Sequence, residues 1–275
     1  MNMNSLNRHV VRLVAAAAAS VLMTSVCQAD VITLTDRGSV AVVDLDSSDG
    51  MNTWTVTGLP AGMENQLHQQ WFWYRINGGL AQPINAISPA VFSLTAPNQL
   101  SSTYANNDVS VTIKYTLTGG GIGQADVSEG IILQNLRGSP FDFHFYQYSD
   151  FNLLNNPLGD SVQMVNNFVV QWKGDTQIQE SIVAPEANFF EANYTGGTGN
   201  TLWKLNNQED LVLSGNDQAL DGDVTWAYQW DFLDLGTEAI QKDKLLSVTF
   251  IPEPSALGLL TLGMGAFLLR RRARA

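Results

Sequence analysis

"VTWAYQWDF", residues 224–232, decides the fold. Val224, Trp226, Tyr228, Trp230 and Phe232 fall on one side, and Thr225, Ala227, Gln229 and Asp231 on the other. A period of two is the signature of a strand with one face in a core. "VSVTIKYTL" (109–117) repeats the pattern, with Val109, Val111, Ile113, Tyr115 and Leu117 alternating with Ser110, Thr112, Lys114 and Thr116. "QQWFWYRI" (69–76) is apolar on both faces, which predicts a central strand. "FDFHFYQYSDF" (141–151) alternates through Phe141, Phe143 and Phe145, then changes phase to Tyr146 and Tyr148, which predicts a β-bulge near Phe145. Further strands are expected at 39–45, 52–58, 130–136, 166–172, 210–214 and 245–251.

Between these runs stand turn signals: "SSDG", "NGG", "TGGGIG", "RGSP", "YTGGTGN" and "SGND". Only "PAGMENQLHQQ" (60–70) offers room for a helical turn or two. Short strands, Gly/Asn/Asp turns and almost no helical period predict an all-β, antiparallel β-sandwich, jelly-roll-like. No repeat period argues for a propeller, and no Pro/Ser-rich linker divides the chain, so one domain is expected over residues 30–251.

Both ends of the chain read differently. Residues 1–29 carry Arg8 and Arg12, an apolar run from Leu13 to about Val26, then small or polar residues, the layout of a secretory signal peptide cut between Ala29 and Asp30. Export would use the Sec machinery. Cys27 is the single cysteine, so the mature chain is expected to lack any thiol or disulfide. A lipid attached to Cys27 fits less well, because Thr24, Ser25 and Val26 lack the leucine and small residue such a site prefers.

Residues 252–275 begin with Pro252-Glu253-Pro254, where the prolines fix φ and remove N–H donors, giving a stiff, extended, charged segment. Ser255 to Leu269 follows without a charge; as a helix it reaches about 22 Å, short of a hydrocarbon core of about 30 Å. Arg270, Arg271, Arg272 and Arg274 then hold that end in the cytoplasm. Such a transmembrane helix is a poor permanent anchor and a serviceable temporary one. In order and spacing these residues resemble the PEP-CTERM sorting signal of Gram-negative bacteria. The resemblance implies recognition by an exosortase, a transient stay in the inner membrane, and a final place at the cell surface or outside the cell. "QQWFWYRI", "FDFHFYQYSDFNL" and "GDVTWAYQWDF" also resemble uncharacterised cargo bearing this tail, which implies no activity.

The part between the termini is strongly acidic. Of 26 acids, removing Glu253 leaves 25; of 14 bases, removing Arg8, Arg12 and the four tail arginines leaves 8, so residues 30–251 carry about −17. That surface repels nucleic acid and anionic lipid and favours cations or neutral partners such as polysaccharide. No phosphate loop, nucleophile elbow or zinc spacing occurs. His68 and His144 are the only histidines in this part, and His144 is read as structural. Two acidic turns suit calcium by their hard oxygen ligands, Asp44, Asp46 and Asp49 in one and Asp217, Asp221 and Asp223 in the other, although neither follows the EF-hand pattern. No other cofactor is expected. Trp203 and Tyr194, near loops, are better placed than strand-centre tryptophans to stack on sugar rings.

Taken from sequence, the chain is expected to be an exported, exosortase-processed surface or matrix protein, structural or in contact with extracellular polysaccharide, and not an enzyme. The alternative is a secreted carbohydrate-active enzyme using a carboxylate pair, for which Asp142, Asp150, Asp231 and Asp234 lie near aromatic strands.

Overall fold

A computed structural model describes residues 30–248. The signal peptide with its Ala29 cut, Pro252-Glu253-Pro254, the tail helix and the arginine cluster lie outside the described residues. Among the described residues no helix is long and apolar enough to cross a membrane.

The chain begins with β1 (Val31–Asp36), β2 (Ser39–Asp44), β3 (Met51–Thr55), β4 (Leu67–Ile76) and the short β5 (Gln82–Pro83). A meander follows: β6 (Val91–Ala96), β7 (Gln99–Ala105), β8 (Val109–Gly119) and β9 (Gln124–Asn135). Next come β10 (Phe143–Phe151), β11 (Asp160–Val165), β12 (Phe168–Lys173), β13 (Thr176–Ala184) and β14 (Phe189–Tyr194). Helix α1 (Thr201–Asn207) precedes β15 (Gln218–Gly222), β16 (Val224–Phe232) and β17 (Thr237–Val248).

These strands form two antiparallel sheets. The first runs β1-β2-β3-β4-β10-β16-β14, with β5 beside β4; the second runs β15-β11-β12-β13-β17-β9-β8-β7-β6. The first half of the chain builds by meanders. From β9 onward the connections pass between sheets except at β11-β12-β13, which stay together in the second sheet; the antiparallel β-sandwich expected from sequence holds. This crossing inserts β10 and β16 side by side between β4 and the edge strand β14, with β10 pairing β4 on its other side.

The period-two reading holds on β8, where Val109, Val111, Ile113, Tyr115 and Leu117 are buried and their neighbours are not. The reading of 69–76 as a central strand with two apolar faces also holds, since β4 is buried along nearly its whole length. On β16 it fails: Thr225, Ala227 and Gln229 are as buried as the aromatics opposite them. One face of the first sheet, through Phe72, Phe143, Phe145 and Tyr228, packs against the second sheet. Phe72 stacks on Phe145 at 5.5 Å and lies under the Lys242 ammonium at 4.8 Å. The opposite face is covered by chain. Trp73 Nε1 donates to Asn206 at the end of α1, the Tyr146 hydroxyl donates to Leu211 O, and Gln229 Oε1 accepts from Leu213 N. The phase change from Phe145 to Tyr146 therefore reflects two buried faces. β10 keeps register with both neighbours from Phe143 to Asp150, and the bulge falls between Asp150 and Phe151.

Two further expectations are corrected. No helix forms in 60–70; the one α-helix among the described residues is α1, whose first turn is capped by Asn200 Oδ1 accepting from Trp203 N. The stretch 210–214 is not a strand, although Leu211 and Leu213 are buried as it crosses the outer face. With 60% strand and 6% helix, circular dichroism of residues 30–250 should be sheet-dominated and insensitive to reducing agent. Helix above about one-fifth of residues would contradict this fold.

Candidate functional site

Asp150 is the last residue of β10 before the bulge. Phe151 turns inward there and stacks on Trp226, centroids 5.1 Å apart, while Asp150 faces the covered side of the sheet. The chain then leaves the sheet into the loop 152–159, a common use of a bulge beside a site. A cavity of about 340 Å³ opens at this point. Its walls are His68 and Gln69 from β4, Tyr148 and Asp150 from β10, and Asn152 and Pro157 from the loop. Thr195, Gly196, Asn200 and Leu202 close the rim, and Asp223 stands just before β16.

The rim comes from "YTGGTGN". It is not the hairpin turn that its glycines suggest; it carries the chain from β14 to α1, with Gly196, Gly197 and Gly199 all at positive φ. Glu191, buried on β14, holds this rim. It accepts from Thr201 Oγ1 at 2.5 Å, Lys204 Nζ at 2.7 Å and Ser214 N at 3.0 Å. Burial alone would raise its pKa; these donors instead bring it down to about 2. On the other side Asp160 of β11 fixes the loop, accepting from Leu153 N at 3.1 Å and Gln171 Nε2 at 2.7 Å. Lys173 stands 3.2 Å from Asp160 and donates to Asn156 O. Burial pushes Asp160 up to about 6 against those bonds.

Asp150 and Asp223 form the chemical centre. In the ladder Asp150 sits opposite Thr225, and Asp223 lies two residues before Thr225, so the two are diagonal neighbours, their backbones about 7–8 Å apart. Asp150 is 3% exposed, and its Oδ1, Asp223 Oδ1 and Asn152 Oδ1 make no hydrogen bond within the protein. Burial raises the Asp150 carboxyl to about 7; the Asp223 charge adds to the rise and the Tyr148 phenol beside it pulls the other way. A carboxyl held near neutrality next to a second carboxylate can donate a proton while its neighbour accepts one.

Sequence reasoning named both aspartates, for unrelated reasons, and missed Tyr148, Asn152, Asn200 and Gln69. The other candidates lie apart. Asp231 bonds His144 Nδ1 at 2.7 Å and Gln229 Nε2 at 2.8 Å, which hold it below the usual carboxylate range although burial acts upward. His144 lies six positions before Asp150 on β10, about 20 Å along a strand. Asp142 is exposed just before β10, and Asp234 is exposed at positive φ after β16.

Asp44 and Asp46 are occupied in their turn. Asp44 accepts from Asp46 N and Ser47 Oγ, and Asp46 accepts from Asp30 N. Asp49 is exposed at the tip. Asp217 and Asp221 are exposed, and Asp223 alone of the second trio reaches the cavity. Among the described residues no three His, Cys, Asp or Glu side chains converge as a metal site. Tyr194 packs over Gly222, where a Cβ would come within 2.8 Å of its ring, and Trp203 is half-exposed on α1; neither lines the cavity.

No family model matches the chain, and no curated protein matches it in sequence. Solved structures do share its fold. A bacterial glucoamylase complexed with acarbose superposes with a TM-score of 0.58 at 9% identity, covering 86% of this chain. The match spans only 36% of the glucoamylase chain. A galactose mutarotase related enzyme from Lactobacillus acidophilus superposes with a TM-score of 0.51 at 6% identity, covering 80% of this chain and 97% of that one. At such identities the likeness carries the fold alone. It nevertheless corrects the expectation of a non-enzymatic, structural or polysaccharide-contacting protein, because this architecture is one on which carbohydrate-active enzymes are built.

Proposed function

We propose that the chain is a carbohydrate-active enzyme working by acid–base chemistry at the anomeric centre of a sugar, with Asp150 as proton donor and Asp223 as proton acceptor. One observation carries this reading: a buried carboxyl with a pKa of about 7 beside a second carboxylate in a cavity walled by amides and a phenol. Protonated Asp150 would deliver its proton to the ring or leaving-group oxygen as the C–O bond breaks. Asp223 would take a proton from the attacking water or the anomeric hydroxyl. Both glycoside hydrolysis and anomer interconversion fit this chemistry, and the fold is shared with a glucoamylase and a mutarotase-related enzyme. The test is polarimetry on free aldoses together with reducing-sugar release from glycosides. Asp150→Asn and Asp223→Asn should each lose at least about 10²-fold; full activity in either variant would overturn the assignment.

For the termini, the proposal is export through the Sec machinery and processing by an exosortase. Asp30 N lies 2.8 Å from Asp46 Oδ2, so a cut before Asp30 would place a new ammonium against a carboxylate. Mass spectrometry should find Asp30 as the mature N-terminus. Changing Pro252, Glu253 and Pro254 to alanines removes the extended geometry and the charge. That variant should be exported yet accumulate uncut in the membrane fraction of an exosortase-bearing host. Unchanged processing would show the tripeptide to be a spacer.

A further inference from the structure

The cavity's inventory of donors and acceptors bears on which sugars it takes. Three buried acceptors in it, Asp150 Oδ1, Asp223 Oδ1 and Asn152 Oδ1, receive no donor from the protein, and the Asn152 amide N–H₂ is the one amide donor left for a ligand. Gln69 and Asn200 have their N–H₂ groups engaged elsewhere, on Ser48 O and Gly197 O. No lysine or arginine lines the wall. Lys173, on the far side of Asp160, is held by that carboxylate and by Asn156 O, and Lys204 is held by Glu191. Exposed His68 is the only basic side chain in the lining. Unpaired buried acceptors are costly until a donor meets them, so a ligand that fits must bring O–H groups and must not bring negative charge.

From this juxtaposition of orphan acceptors without a cation, and resting on the sugar-enzyme reading above, we infer that the substrate is a neutral sugar with free hydroxyls. Uronic acids and sugar phosphates are then disfavoured. Hydroxyls on adjacent carbons can each donate to one of the three oxygens, while Tyr148, Pro157 and Leu202 offer apolar surface to the C–H face of the ring. A carboxylate or phosphate in the same place would stand beside Asp150 and Asp223 with no arginine fork to receive it. Asp223 thereby acts in selectivity as well as in proton transfer, since its charge contributes to the field that an anionic sugar would meet.

The experiment compares glucose and galactose with glucuronic acid, galacturonic acid and glucose 6-phosphate, using the purified chain at low ionic strength and pH 8. Binding is read by titration calorimetry and by NMR of the sugar, so the outcome does not depend on turnover. Neutral sugars should bind at least about tenfold more tightly than their acidic counterparts. Asp223→Asn should narrow that gap by admitting the acids better, an effect that a merely structural role would not produce. Equal or tighter binding of the acids would overturn the inference while leaving the enzyme reading standing. Binding of no sugar of either class would overturn both. Calcium binding that is lost in Asp223→Asn and competes with glucose would also overturn it, by making the oxygens a cation site.

Discussion

Asp150→Asn should inactivate the protein by about 10²–10⁴-fold and, at pH 8, make it more stable. The two effects share one cause. The Asp150 carboxyl is buried with one oxygen unpaired, and burial, reinforced by Asp223, moves its pKa from 3.8 to about 7. Between about pH 4 and pH 7 the folded chain keeps a proton that the unfolded chain has released. Stability therefore falls as pH rises through this window and stays low above it. The penalty at pH 8 is up to about 4 kcal/mol, each pKa unit being worth about 1.4 kcal/mol. An amide cannot ionise, so the variant escapes the penalty; at pH 4, where the native carboxyl is already neutral, the two proteins should melt alike. Asp160 and Asp126, each raised by burial to about 6, remain in the variant and should leave it a residual slope of the same sign. Activity of the unaltered protein should decline above pH 7 as the proton donor ionises. Melting curves at pH 4 and pH 8 and a pH–rate profile decide the matter. A variant less stable at pH 8 than the parent would mean that the Asp150 charge is satisfied in a way the structure does not show.

How legible this was in the sequence varies by element, and the reasons are physical. β8 could be read because every inward position is apolar and every outward one polar. β4 could be read as central because Trp71, Phe72, Trp73 and Tyr74 leave no polar face. β16 was misread because polarity at Thr225 and Gln229 looks like exposure; these side chains are covered by the chain near Leu213 and by α1, from elsewhere in sequence. Asn200 before "TLWKL" was the available sign of α1, obscured by the glycines ahead of it. All of β13 and most of β17 were missed because their core-facing positions are partly charged: Ile178, Glu180 and Ile182 in one, Ile240, Lys242, Lys244 and Leu246 in the other. The period of two is present in both, but lysine and glutamate hide it from any hydrophobic pattern. The pairing of Asp150 with Asp223 had no local signal at all, because it depends on β10 lying beside β16, a non-local choice made by the packing of whole strands.

Those hidden charges carry the second large effect: Lys242→Met should destabilise the fold by about 3–5 kcal/mol. Glu129, Glu180, Lys242 and Lys244 are all essentially inaccessible between the sheets. Lys242 faces Glu129 across the β9–β17 ladder, and Lys244 faces Glu180 across the β13–β17 ladder. The ammonium of Lys242 contacts Glu129, Glu180 at 3.4 Å and the side-chain oxygen Oε1 of Gln147 in the first sheet, while Lys244 approaches Glu129 at 2.7 Å. Gln147 Nε2 donates to both Glu180 oxygens, at 2.8 and 2.9 Å. Two positive and two negative charges cancel, which keeps the burial tolerable. Removing Lys242 alone leaves two carboxylates sharing one ammonium in a dry core and takes away the donor from Gln147. Glu129→Met combined with Lys242→Met removes one cross-strand pair and leaves Lys244 with Glu180, still neutral, so the double variant should recover much of the loss. Urea unfolding of the singles and the double gives the coupling directly. A single substitution costing under about 1 kcal/mol, or a double as damaging as the sum of its parts, would show that solvent or rearrangement satisfies these groups. The arrangement also bears on pairing: sliding β17 by one residue would turn both lysines outward and leave both glutamates buried without partners. A slip of that kind is penalised far more heavily than in an all-apolar core, so these four side chains should hold the register of β17 between β9 and β13.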